Sequence, residues 1–184
     1  MDYDILVNKE HGLSNEYIPN DLVTIDSKYS IKGMARIEAC DNFIKMANDA
    51  LNLDLHIINE SAYRSYERQK ELFDIEYKIK GIKANDSIAL PGYSEHQTGL
   101  AFDLCTDTYD MYEFEKTNEF TWLTNNSYKY GFILRYPKGK ENITGYIYEP
   151  WHYRYLGVDL ATKVYKSGLT YDEYYLKYIK KDNT

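Results

Sequence analysis

The sequence predicts an α+β fold, because segments with helical periodicity and segments with strand-like alternation follow one another in mixed order. A length of 184 residues is enough for one domain, 1–184, with a sizeable core, and neither a linker nor an internal repeat interrupts it. Residues 1–29 are irregular and rich in polar side chains, so they are expected to wrap around the domain as an N-terminal segment.

Four helices are predicted, over residues 31–51, 66–80, 114–129 and 171–180. The first has apolar residues spaced three and four apart, which is typical of an amphipathic helix. Ser65 can cap the second helix, and Gly81 can end it. Thr170 and Glu173 form a capping-box pattern, which begins a last helix within the C-terminal segment 170–181.

Four strands are predicted, over residues 53–59, 99–105, 132–136 and 146–155. In the second of these, small residues and one acid alternate with large apolar residues. One side of the strand would carry Gly99, Ala101 and Asp103, and the other Leu100, Phe102 and Leu104. The apolar side predicts a core face, and the small residues leave room for another group to approach Asp103.

Composition excludes several classes of function. The net charge of −7 and the scattered lysines and arginines give no basic stripe, so nucleic acid is not expected as a partner. Cys40 and Cys105 read as buried thiols outside any disulfide framework. There is no signal peptide, membrane segment or evident need for a protein partner, which predicts a cytoplasmic protein. An extracellular domain cut from a membrane anchor would look the same.

Two short segments, 94–103 and 149–152, carry most of the chemical information. They contain His96, Asp103 and His152, and a bend before the second strand would bring the first two together. Two histidines and one aspartate supply three zinc ligands and leave a fourth position open, which is typical of a catalytic zinc site.

Glu149 adds a carboxylate that can act as a general base. A regular strand would point Glu149 and His152 in opposite directions, but Pro150 disfavours regular pairing and allows both to face one cleft. Each residue alone has an ordinary structural explanation, such as a capping aspartate or a histidine packed on a tryptophan. Neither His11 nor His56 is expected to bind metal.

The first segment matches the Ser-x-His-x-x-Gly-x-Ala-x-Asp signature of zinc D-alanyl-D-alanine peptidases, and Glu-Pro-Trp-His at 149–152 matches their second signature. The sequence therefore resembles the VanY and VanXY vancomycin-resistance D,D-peptidases of the LAS-type metallopeptidase superfamily. The likeness extends to segments 62–65, 89–92 and 130–137. It implies a central antiparallel sheet, flanked by helices, with one zinc ion in a cleft on the sheet.

The resemblance also implies roles for individual residues. His96, Asp103 and His152 would bind zinc, and Glu149 would take a proton from the attacking water and pass it to the leaving amine. Arg64 would stabilise the negative charge that develops on the scissile carbonyl oxygen. The terminal D-Ala would be bound by Ser94 and Gln69, with pocket walls formed by Tyr93, Trp151 and Tyr153.

The implied function is a D,D-carboxypeptidase that removes D-Ala from wall precursors ending in D-Ala-D-Ala, with a possible second activity on the free dipeptide. Dipeptide-cleaving relatives tend to carry an acid where this chain has Ser61, which favours longer peptides. Glu60 would point the other way on a regular strand. The alternatives are an L,D-carboxypeptidase or an endolysin-type peptidase of the same superfamily, and a zinc module without activity. Retention of Glu149 and Arg64 argues against the last.

Overall fold

A four-stranded antiparallel sheet lies at the centre of the protein, as a computed structural model of residues 3–180 describes it. The strand order is β3-β4-β6-β5. These strands are β3 Ile58–Ser61, β4 Ala101–Cys105, β5 Phe132–Leu134 and β6 His152–Tyr155. A separate antiparallel pair, β1 Leu22–Thr24 and β2 Met34–Arg36, precedes them. The predicted α+β class with a central antiparallel sheet is confirmed.

Helices surround this sheet. They are α1 Ile37–Leu51, α2 Tyr66–Lys80, α3 Ala84–Ser87, α4 Asn118–Asn126, α5 Glu141–Thr144, α6 Val158–Ser167 and α7 Tyr171–Tyr174. The predicted cap of α2 is confirmed, because Ser65 Oγ accepts a hydrogen bond from the backbone N–H of Arg68. The capping box of Thr170 and Glu173 is also present, and a π-helical turn, Tyr175–Ile179, continues α7. The end of the predicted segment at residue 181 lies outside the described residues.

Several predicted boundaries are wrong. The helix predicted from residue 31 begins at Ile37, because residues 34–36 pair with β1 instead. The strand predicted over 53–59 begins only at Ile58; Leu53 is exposed, and Asp54 has a positive φ of 60°. The helix predicted over 114–129 is divided into α4 and two flanking 3₁₀ turns. The strand predicted over 146–155 is reduced to β6, since Pro150 has no N–H to donate to a ladder.

The two faces of β4 and β6 differ sharply. Phe102 is paired with Tyr153, and both are fully buried in the main apolar cluster against Phe43 of α1. We call this the core face. The opposite side, the site face, carries two cross-strand pairs: Ala101 opposite Arg154 and Asp103 opposite His152. The predicted alternation of strand 99–105 is thus confirmed for the residues inside β4.

Gly99 is required by the backbone conformation and by close packing, not by a ligand. It ends the turn before β4 with a φ of 67°, where a side chain is disfavoured. A Cβ there would lie 2.8 Å from a methyl carbon of Leu22 and 3.1 Å from Arg36 Cγ. The expectation that Gly99 leaves room on the metal side is therefore wrong, because its small size allows β1 and β2 to approach.

Cys40 and Cys105 are both buried free thiols, as predicted. Within residues 3–180, every helix is too short or too polar to cross a lipid bilayer. The cytoplasmic location and the single-domain organisation stay predictions of the sequence.

Candidate metal centre

Three potential metal ligands meet on the site face of the sheet. Asp103 and His152 are direct cross-strand partners, so antiparallel pairing alone brings them together. His96 enters from the 3₁₀ turn Glu95–Thr98, which leads into β4. One ligand atom from each of the three lies within 4.8 Å of the others, and all three residues are buried.

The hydrogen bonds of the two histidines fix which nitrogen faces the centre. His96 Nδ1 lies 2.7 Å from the carbonyl oxygen of Ala62, so it carries the proton and leaves Nε2 as an acceptor. His152 Nε2 lies 3.3 Å from a carboxylate oxygen of Glu95, which leaves Nδ1 as the inward acceptor. Such outer partners orient the histidine ligands of metal sites.

With both rings neutral, as metal ligands must be, acceptors face acceptors at the centre; without a cation, Asp103 and Glu95 outweigh burial and raise the pKa of His152 to about 9. His96 Nε2 lies 3.1 Å from Asp103 Oδ2, and His152 Nδ1 lies 3.1 Å from Asp103 Oδ1. Oδ1 is buried and has no hydrogen-bond partner among the described residues. A tetrahedral zinc ion with bonds of about 2.0–2.2 Å holds its ligands roughly 3.3–3.6 Å apart. The donor set of two nitrogens and one oxygen, and its spacing, fit a zinc ion.

Glu149 lies beside this centre. Its Oε2 is 3.6 Å from His152 Nδ1. The irregular backbone at Pro150 is a turn in which the N–H of His152 bonds to the carbonyl of Glu149, so both side chains face the cleft as predicted. Burial raises the pKa of Glu149 to about 7, against the opposing effect of His152. A carboxylate with a pKa near neutrality is suited to take up and release a proton.

Arg64 reaches the same place from the start of α2. One Nη donates to Gln69 Oε1 at 2.9 Å, and the other donates to Ser61 Oγ at 3.1 Å. The second Nη also lies 3.6 Å from Asp103 Oδ2. Because two neutral partners hold the guanidinium, its charge stays directed toward the metal centre.

The cleft above these residues has a volume of about 410 Å³. Its walls combine the charged centre with apolar side chains, including Leu72, Ile88, Met111, Ile147 and Trp151. Tyr112 lies against Trp151, with ring centroids 5.4 Å apart, and both line the same cleft. The cleft therefore offers apolar contact on either side of the reactive groups.

The structure separates the predicted substrate-binding residues into two groups. Ser94, Gln69 and Trp151 line the cleft. Ser61 is not among the lining residues, but its hydroxyl holds Arg64. Gln69 is 1% exposed and also donates to the carbonyl of Ala89, so its amide already supports the site.

Two predicted pocket walls are wrong. Tyr153 follows His152 in a regular strand, so it points to the core face and is fully buried there. Tyr93 is absent from the cleft lining; its ring packs over Gly12, where an added Cβ would lie 2.9 Å from it. Tyr93 thus fastens the N-terminal segment instead of contacting the cleft.

Glu60 also differs from the expectation. The register of β3 shifts between Asn59 and Ser61, so Glu60 is an extra residue in an irregular strand. Burial, and after it the neighbouring charge of Asp103, raises the pKa of the Glu60 carboxyl group, and one of its buried oxygens has no hydrogen-bond partner among the described residues. The carboxylate does not line the cleft, so it is no substitute for an acid at Ser61.

Sequence reasoning missed a buried ionic network behind His152. Glu95 Oε1 accepts hydrogen bonds from Arg135 Nε at 2.8 Å and from Arg154 Nη1 at 2.7 Å. Arg135 also donates to both carboxylate oxygens of Asp172. Burial alone would raise the pKa of Glu95, but the two arginines and His152 outweigh it and lower that pKa. The available signal was the presence of arginines inside or beside predicted strands.

The remaining histidines lie elsewhere, as predicted. His56 is partly exposed between Asp54 and Asp107, at 3.7 and 3.3 Å. His11 Nδ1 contacts the side chain of Asn8 at 3.0 Å. Among the described residues, the group at His96, Asp103 and His152 is the one whose geometry suits a metal ion.

Comparison with protein-family models matches residues 33–158 to VanY, D-alanyl-D-alanine carboxypeptidase. A putative carboxypeptidase, YodJ of Bacillus subtilis, is 44% identical over 94% of this chain and 66% of its own length. The bifunctional D-Ala-D-Ala dipeptidase and carboxypeptidase VanXYC of Enterococcus gallinarum is 31% identical over 92% of each chain. The chain spans 66%, 50% and 59% of the first three curated relatives that it matches.

The solved structures that are similar to this chain include proteins of the same kind. The LdcB LD-carboxypeptidase has a TM-score of 0.88 and 43% identity, covering 94% of this chain and 85% of its own. VanYB in complex with D-alanine-D-alanine has a TM-score of 0.80 and 36% identity, covering 94% and 96%. A mutant of the vancomycin resistance D,D-pentapeptidase VanY, in complex with Zn(II), has a TM-score of 0.81 and 35% identity, covering 95% and 99%.

Proposed function

Because the chain belongs to the VanY D-alanyl-D-alanine carboxypeptidase family, we propose that it is a zinc-dependent D,D-carboxypeptidase. Its substrates would be wall precursors ending in D-Ala-D-Ala, from which it removes the last D-Ala, as in vancomycin resistance. The observation that carries this proposal is the convergence of two inward histidine acceptors, one buried aspartate, a carboxylate of raised pKa and a fixed arginine in one cleft.

His96, Asp103 and His152 would hold the zinc ion. When bound, zinc supplies Lewis-acid chemistry, making water more acidic and a carbonyl carbon more electrophilic. Glu149 accepts a proton from the attacking water and returns it to the nitrogen of the departing D-Ala. Arg64 stabilises the negative charge on the former carbonyl oxygen, and Ser94 and Trp151 contact the terminal residue from the cleft walls.

A second candidate is an L,D-carboxypeptidase, which cuts a peptide ending in a single D-Ala after an L-centre. The specific observation in its favour is the similarity to LdcB, which is high in both sequence and structure. Cleavage of the free dipeptide is less favoured, because the side chain that holds Arg64 is the neutral Ser61 and the Glu60 carboxylate does not line the cleft.

The test is turnover of three substrates by zinc-supplemented protein, with released D-Ala measured in each case. The substrates are free D-Ala-D-Ala, a pentapeptide ending in D-Ala-D-Ala and a tetrapeptide ending in one D-Ala after an L-centre. Glu149→Gln protein is the matched control for contaminating peptidases. The highest kcat/KM on the pentapeptide supports the proposal. Preference for the tetrapeptide replaces it with the L,D activity, and turnover of none rejects both.

A further inference from the structure

The buried network behind the metal centre connects a metal ligand to the last part of the chain. Glu95 is held at Oε1 by Arg135 and Arg154, and its other oxygen lies 3.3 Å from His152 Nε2. Two guanidinium groups thus hold one oxygen of the carboxylate in place. The remaining oxygen can then hold His152 with Nδ1 turned inward.

Asp172, on α7, completes this arrangement. Arg135 donates Nη1 to Asp172 Oδ2, and Nη2 to Oδ1 at 3.2 Å, while its Nε serves Glu95. We propose that Asp172 is a positioning residue for the metal centre, acting on His152 through Arg135 and Glu95. This inference rests on the proposed zinc site, and it assigns a role to a side chain that does not contact the cleft.

The charges explain why Asp172 would matter. Two arginines and two acids make the network neutral overall, and all four residues are at most 3% exposed. Without the carboxylate of Asp172, Arg135 would have Glu95 as its one remaining carboxylate partner. The guanidinium would then draw Glu95 toward itself and weaken the contact with His152. Two buried arginines would also share one acid, and this uncompensated buried charge is costly, so the network would rearrange rather than stay in place.

The family model ends at residue 158, so Asp172 lies beyond the matched segment. Asn8, which donates to Asp172 Oδ1 at 2.9 Å, lies before that segment. Arg154 donates to the carbonyl oxygens of Tyr3 and Ile5 as well. Both terminal segments therefore contact the arginines that hold Glu95.

The experiment measures zinc affinity directly, by competition with a chelator in the metal-free protein of 184 residues. Asp172→Asn keeps the shape and removes the charge. Loss of an outer partner of a metal ligand typically costs about 10–100-fold in affinity, so we expect about a tenfold weaker affinity one step further out. The absorption spectrum of the cobalt-substituted protein should change with it, because the orientation of His152 changes.

Two controls separate positioning from general damage. Thr170→Ala removes the cap of α7 and leaves Asp172 intact, whereas Asp21→Asn disrupts the ion pair with Arg36 at 2.8 Å, away from His152. Both should lower the melting temperature and leave zinc affinity and the cobalt spectrum unchanged.

Wild-type zinc affinity in Asp172→Asn protein, or an equal loss in Thr170→Ala protein, would overturn the inference. If Asp172→Asn does not fold, Arg135→Lys carries the test, because one ammonium cannot bridge both acids as the guanidinium does. It should weaken zinc binding and alter the cobalt spectrum in the same way, and unchanged values would again overturn the inference. Tight zinc binding by wild-type protein without peptidase activity would reject the proposed function alone.

Discussion

The site face and the core face of β4 and β6 are built from alternate residues of the same two strands, yet they meet opposite requirements. On the core face, Phe102, Tyr153 and Phe43 pack in one apolar cluster. On the site face, nitrogen and oxygen acceptors point at one another. The core face is complete without a ligand, and its packing stabilises the fold. The site face needs a cation, and it carries the residues proposed for the chemistry.

The largest expected effect compares the two histidines of the proposed metal site with His56, which lies outside it. His96→Ala or His152→Ala should lose bound zinc and peptidase activity together, because two protein ligands hold the ion poorly. His56→Ala should change neither, since that ring lies partly exposed between two aspartates. Metal analysis of the purified proteins checks this prediction. Full zinc occupancy in both variants would contradict the assignment of His96 and His152 as zinc ligands.

The next effect separates a base from a ligand on the site face. Glu149→Gln keeps the size and removes the proton acceptor, which typically costs about 10²–10⁴-fold in rate. Zinc content should stay near that of wild type. Steady-state kinetics together with metal analysis decide the case. Loss of zinc along with activity would make Glu149 a ligand.

A substitution on the core face of β4 should change the stability of the fold. Phe102→Ala removes a fully buried ring next to Asp103 and should lower the free energy of unfolding by about 3–5 kcal/mol. The folded fraction should keep its zinc content and its kcat. Denaturant unfolding and titration of active sites measure the two quantities. A large fall in kcat per folded molecule would show that the two faces are not independent.

The smallest expected effect concerns selectivity at the edge of β3. Ser61→Asp places a carboxylate beside Arg64, at the position where the resemblance to dipeptide-cleaving enzymes implies an acid for the free ammonium. One partly desolvated charge contact contributes roughly 1.5–3 kcal/mol, or about one to two decades in relative kcat/KM. Wild type should prefer the pentapeptide and the variant should move toward the dipeptide. Dipeptide preference in wild type, or no shift in the variant, would place the selectivity in another loop.

The proposed metal ligands and the proposed base were predictable because local sequence motifs contain them. Asp103 is fixed by the alternation of its strand, and Pro150 marks the irregular turn that turns Glu149 and His152 into the cleft. Ser65 and Thr170 could be predicted as helix N-caps for the same reason. For the caps and for the turn at Pro150, the partner lies only a few residues away, whereas the pairing of Asp103 with His152 joins β4 to β6.

What depends on distant partners was not predictable. Met34 and Ala35 fit a helical repeat, but Thr24 and Val23 pair with them as a strand. The resemblance implies Tyr153 as a pocket wall, but Tyr153 follows His152 in a regular strand and faces the opposite way. The network of Glu95 and Arg135 depends on tertiary contacts across tens of residues, so an arginine within a predicted strand indicates a buried charge without identifying its partner.

The link from α7 to the metal centre also sets an order of events during protein synthesis. When β6 has left the ribosome, both arginines of the network are present, but the carboxylate of Asp172 still lies ahead in the chain. A nascent chain at that stage would bind zinc less tightly than the released protein. The protein would then gain full metal occupancy only after α7 has emerged, which stalled chains of increasing length would reveal as a late step in zinc uptake.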